Sequence, residues 1–437
     1  MAPKKKLHLN FFDMACNGNH MGVGMWKVPG DNSRNKDSLE YYLWLAKLAE
    51  KGKITGIFFA DTYGVHDTWP GQTANQFLSG ATCAQMDPIV WVSAMASVTK
   101  SPFVLARTYS SLDHATKGRI AWNVVTSYSN ASAKANGQEE ITPHDQRYEK
   151  AHEYMDLCYS LWEGSWEDGA KMFDNEKVAY DPEKIHRIKF NGKHHKTNAF
   201  GATHPSPQRT PVLFQAGASK AGKDFAAKHA EAVFVGGQVP SETYEYVKEI
   251  RAAAAAYGRD PNHIKVFPQI TPIVGRTMEE AEAKYEKYLS CVDYRGGMAK
   301  LGSYLNIDLS SYPLDEPFVV KTDTSGGQGI YVMMDSVKSH AAEVITPRVL
   351  AQKMAFCGFC PMPVGDPETV ADVFEDWVNN GDIDGFNVAY VSNPESYEDL
   401  VGLLVPGLQR RGIMWEDYDV PGGTYRENML RAPGQSV

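Results

Sequence analysis

Apolar residues along this chain recur in two alternating rhythms. Short unbroken runs at Leu7 to Phe12, Ile54 to Ala60, Arg119 to Ser127, Pro211 to Gln215, Ala232 to Val235, Ile264 to Val274 and Gly385 to Val391 predict strands buried on both faces. Between most of them the apolar positions fall three and four residues apart, which predicts helices over Leu39 to Glu50, Glu242 to Tyr257, Met278 onward, Pro367 to Asn380 and Glu395 to Arg411. Strands separated by helices imply a parallel sheet with right-handed crossovers, and 437 residues suit an eight-stranded barrel better than an open sheet. The expected fold class is α/β, a (β/α)8 TIM barrel over residues 1–437 as one domain, with insertions at about 163–207 and 291–364 where the rhythm fails. The alternation breaks once. Asp87 and Pro88 start a helix running to about Thr99 and Pro102 starts another, so one barrel strand is missing between residues 100 and 102.

Polar groups collect where the strands end, which is where α/β enzymes place their chemistry. The run Arg119 to Ser127 closes on small polar residues, and Asp13 and Asp61 follow the first two strands, although Asp61 also suits a turn cap. Thr142-Pro143-His144-Asp145 reads as a helix start with Thr142 as N-cap, and His144 and Tyr148 share one face of that helix. After the strand at Pro211 to Gln215, Gly217 to Lys223 has the spacing of a nucleotide-binding P-loop. Asp224 stands where a magnesium-holding Ser or Thr belongs, which argues against a nucleoside triphosphatase. A glycine turn and Ser219 as N-cap still make a seat for one phosphate, as free helix N–H groups attract anions. The adjacent His194 and His195 cannot both face one metal from a strand and read as structural.

Composition narrows the classes. A net charge of -9 argues against nucleic-acid or anionic-membrane partners. No apolar run reaches membrane-spanning length, so a soluble cytoplasmic protein is expected. Six cysteines are too sparse for a disulfide framework, and Cys357-Gly-Phe-Cys360 opens onto Pro361 rather than a helix that would activate a thiol.

Several stretches read together are more specific: Phe58-Phe-Ala-Asp-Thr62, Leu112 through Ser127, His144-Asp-Gln-Arg-Tyr148, Leu161 through Asp168, Ser206 through Ser219, Asp384 through Tyr390 and Leu404 through Gly412. In this order they resemble the nitrilotriacetate and dibenzothiophene-sulfone monooxygenase branch of the bacterial luciferase-like, FMN-dependent monooxygenases. The resemblance implies a barrel that binds reduced FMN (FMNH2) at its carboxyl face. Asp61 would lie against the flavin and Val125, Thr126 and Ser127 would line its ring. His144, Tyr148 and Ser219 would hold the phosphate, with Ala218 beside them in the cofactor site. His20 matches a histidine near the substrate and is the catalytic candidate. The resemblance further implies a homo-oligomer and a separate NAD(P)H:flavin reductase. FMNH2 would react with O2 to a flavin C4a-hydroperoxide, and one oxygen atom would enter a small organic substrate. No strand here is followed by a G-x-G-x-x-G turn for a nicotinamide nucleotide. Relatives carry about a dozen more residues, one strand with its turns, at the break near Ser101. Two other readings stay open: a flavin-binding homologue with impaired activity, and a barrel hydrolase using Asp13 and Asp61 as paired carboxylates.

Overall fold

The computed structural model describes residues 5–62, 66, 69, 71–88, 102–127, 130–135, 137–174, 178–318, 334–339 and 344–430. In chain order the strands are β1 (His8–Met14), β2 (Gly56–Ala60), β3 (Ala121–Asn123), β4 (Lys171–Asp174), β5 (Val178–Tyr180), β6 (Arg187–Asn191), β7 (Lys196–Phe200), β8 (Val212–Gln215), β9 (Ala232–Val235), β10 (Lys265–Ile270), β11 (Ile273–Val274), β12 (Val364–Gly365) and β13 (Gly385–Val388). Seven of them form one parallel sheet in the order β2-β1-β13-β10-β9-β8-β3. Asn10, Asn387 and Gln269 stand in register across β1, β13 and β10, a polar row through the sheet. Gly385 lets β13 approach β1 closely, since a Cβ there would meet the His8 carbonyl oxygen at 1.9 Å.

Helices cover the outer face, as the apolar spacing predicts. The Leu39–Lys51 helix buries Tyr41, Tyr42, Leu45 and Ala49 against a core that includes Phe11 and Val388, and it stops at Gly52. The Pro367–Gly381 helix, N-capped by Asp366, and the helical run from Glu395 to Arg410 complete that layer. Among the described residues no strand lies between β2 and β3, and residues 89–101, which hold the rest of the helix expected from Asp87 and Pro88 and the junction at Ser101, fall outside them.

Three expectations need correction. β1 runs on to Met14, so Asp13 lies within the strand rather than after it. The run Arg119 to Ser127 yields only a three-residue strand, and its residues are half-buried rather than fully buried. β2 is half-buried along its whole length, whereas β1, β8 and β13 are fully buried. The physical reason is shared: β2 and β3 end the sheet, and among the described residues each has one side that no strand pairs with. Third, the helix start expected at Thr142 falls one residue later, with Pro143 before His144 and no side-chain cap. Beyond Arg410 the chain turns back into the interior. Its Tyr425–Leu430 helix inserts Met429 beside Val212 and Phe267, and Arg426 pairs with Glu231 at 2.7 Å in the interior.

The two interrupted regions contain structure. Between 163 and 207 lie two antiparallel hairpins, β4–β5 and β6–β7. Glu153 accepts the backbone N–H groups of Lys193, His194 and His195 there, so the histidine pair closes a turn. Between 291 and 364 the Tyr294–Leu305 and Pro347–Ala355 helices pack together around Leu301, Leu350 and Met354. Their many glycines disguised a close helix crossing, since a Cβ on Gly297 would meet the Ala351 carbonyl oxygen at 1.9 Å.

Candidate active site

The carboxyl ends of the strands open into a cavity of about 1650 Å3, larger than the roughly 300–1,000 Å3 of most ligand pockets. His20, Asp61, Val125, Thr126, Ser127, His144, Tyr148, Ala218 and Ser219 all line it. The wall also takes in Ile57 and Phe59 of β2 and Trp122 of β3, the two strands that end the sheet among the described residues.

One corner gathers polar side chains at a helix N-terminus. β8 ends at Gln215, the chain turns through Gly217, and Ser219 caps the Lys220–His229 helix by accepting the Gly222 N–H at 3.1 Å. The turn is tight: the Gly217 N–H donates to Gln215 Oε1 at 2.5 Å, and a Cβ on Gly217 would stand 2.7 Å from the Tyr148 hydroxyl. His144 Nε2 lies 3.1 Å from Ser219 Oγ, and Tyr148 sits one turn along the same helix with its ring 5.1 Å from His144. An imidazole, a phenol, a hydroxyl and a helix N-terminus thus converge, a set that suits a phosphate.

The neighbouring wall suits a planar apolar group. Val125 is 63% exposed, unusual for a valine that follows a sheet strand, and Ser127 adopts a left-handed φ of 61°. Arg147, from the helix that carries His144 and Tyr148, donates to the Ser127 carbonyl and, at 3.5 Å, to that of Thr126. That helix therefore holds both the anion corner and the Val125 wall.

Elsewhere in the wall, burial and the nearby Asp87 push the Asp61 carboxyl up to about 6. Burial, aided by the Lys300 ammonium, holds His20 well below the ordinary imidazole range and His66 down to about 3. Asp13 is not in the cavity wall. It is buried against Lys36 and the Tyr41 hydroxyl and accepts the Met14 N–H at 2.7 Å, so it cannot pair with Asp61 in hydrolysis. The chain pattern also left Asn10, Gln269 and Lys300 unmarked, although all three line the cavity. Among the described residues no group of three or more His, Cys, Asp or Glu is placed to hold a metal, and no helix is long and apolar enough to cross a membrane. Cys357 and Cys360 are free thiols, both pushed up by burial.

A parallel α/β half-barrel with an anion seat and an apolar wall at its carboxyl end defines a class, and comparison with known proteins identifies it. The chain belongs to the luciferase-like monooxygenase family, whose profile matches residues 21–382. It is 39% identical over 440 residues to long-chain alkane monooxygenase of Geobacillus thermodenitrificans, covering 98% of this chain and 94% of that one. It is 32% identical over 457 residues to nitrilotriacetate monooxygenase component A of Aminobacter aminovorans, covering 100% and 99%. A crystal structure of a riboflavin lyase with modified FMN and riboflavin superposes with a TM-score of 0.88 at 32% identity, covering 98% of this chain and 96% of that one.

Proposed function

We propose that this chain is the oxygenase of a two-component flavin monooxygenase, which takes FMNH2 from a separate NAD(P)H:flavin reductase and uses O2 to oxygenate a small organic substrate. The observation that carries the reading is the convergence of His144, Tyr148 and Ser219 on one helix N-terminus beside the exposed Val125. A seat for one phosphate next to an apolar wall fits FMN better than a dinucleotide or a sugar. Bound reduced flavin supplies the two electrons that divide O2 between the substrate and water. The protein's share is to hold and enclose: His144, Tyr148, Ala218 and Ser219 fix the phosphate, and Val125, Thr126 and Ser127 support the ring. Asp61 lines the cavity and would lie against the flavin, and a neutral His20 can take or give a proton near the substrate. The name component A, carried by the nitrilotriacetate relative, supports a partner reductase.

We also read the sheet as a (β/α)8 barrel that lacks the strand between β2 and β3, because those two strands alone of the parallel set are half-buried along their length and border the cavity together. A lowered activity relative to intact relatives follows from that reading. The function is tested by mixing the chain with NADH, FMN and O2. NADH should be consumed only when an unrelated FMN reductase is added, and direct NADH oxidation by the purified chain would contradict the assignment.

A further inference from the structure

Among the described residues three lysine or arginine side chains are essentially buried: Lys36, Arg426 and Lys300. Lys36 pairs with Asp13 and Arg426 with Glu231. Lys300, only 1% exposed on the Tyr294–Leu305 helix, has no carboxylate partner among the described residues and donates among them only to the carbonyl oxygen of His20. Its ammonium is pushed down by burial to about 8 and so keeps its proton at neutral pH, while the nearby thiols of Cys16, Cys357 and Cys360 are held neutral by burial. A buried charge is ordinarily paired, and this one instead lines the cavity. Beside it, His20 Nδ1 is buried without a hydrogen-bond partner. Phe12, Met21 and Phe58 form an apolar patch next to this corner, with the Phe12 ring 5.7 Å from that of His20. The phosphate seat uses other helices, so the cavity holds a second anion-seeking corner.

We propose that Lys300 and His20 form a seat for an anionic head group, a carboxylate or sulfonate, of the oxygenation substrate, whose apolar body lies against Phe12, Met21 and Phe58. The word substrate rests on the oxygenase reading; the anion seat does not. Calorimetric titration of the full chain with benzoate and with the neutral benzamide, with and without saturating FMN, separates the two. Benzoate is expected to bind at least tenfold more tightly than benzamide, the size of a hydrogen bond to a charged group. Lys300→Met should erase the difference and Lys300→Arg should keep it. Equal affinities for the two probes, no benzoate binding, or a preference that survives Lys300→Met would overturn the proposal. If Lys300→Met does not fold, the wild-type comparison in saturating FMN, which occupies the phosphate seat, still decides it. Failure to bind FMN would remove the oxygenase reading and leave the benzoate comparison on the FMN-free chain standing.

Discussion

Inserting a strand of about a dozen residues after Lys100, patterned on the family, should stabilise the chain and tighten flavin binding. β2 offers five residues and β3 three, eight in all, to an incoming neighbour. In a parallel strand alternate residues turn both backbone groups to a given edge, so about eight groups would gain partners. At roughly 0.5–1.5 kcal/mol net per hydrogen bond that is about 4–12 kcal/mol. Ordering about five strand residues costs about 5–10 kcal/mol, which nearly cancels it. What remains is the burial of half-exposed Ile57, Phe58, Phe59 and Trp122. Half of the roughly 1.5–3 kcal/mol for a full burial, four times over, gives about 3–6 kcal/mol. For a chain of this length each kcal/mol moves the melting temperature by about 1–2 °C, so a rise of about 3–12 °C is expected in a thermal melt. Flavin titration of the same pair should show tighter binding by the insertion variant, because Ile57, Phe59 and Trp122 also line the cavity. Equal melting temperatures and equal affinities would mean that the sheet has closed without the strand and would refute the reasoning.

Asp13→Asn should act as a fold mutation, since it strips a fully buried Lys36 of its partner at a cost of about 3–5 kcal/mol. Melting temperature should fall sharply; loss of turnover in a variant with wild-type stability would revive a catalytic Asp13. Asp61 has a folded pKa raised above its unfolded value, so its stability contribution is full below about 4 and lost as pH rises through about 6. Asp61→Asn should therefore flatten the fall in melting temperature between those pH values, and an unchanged pH profile would show that Asp61 does not titrate there.

Much of the site was legible because its signals are local. The strand, glycine turn and Ser219 cap lie within nine residues, and His144 and Tyr148 are one helical turn apart. What failed to show depends on partners distant in sequence. Asp13 read as a strand-end carboxylate because nothing in its own stretch announces Lys36 or Tyr41. Arg119 to Ser127 read as a central strand because apolar content cannot tell a middle strand from an end one, a matter of sheet order. Lys300 sits in a glycine-rich segment of weak periodicity, and only folding carries it to the carbonyl of His20. Arg426 carried no signal because its partner Glu231 is 195 residues away.

The phosphate seat is the central claim, and anaerobic titration with FMNH2 of the wild-type chain, Ser219→Ala and Tyr148→Phe tests it most directly. Each variant should lose about 1.5–3 kcal/mol, a tenfold to hundredfold weakening, because each removes a hydrogen bond to a charged group. Wild-type affinity in both variants would contradict the account.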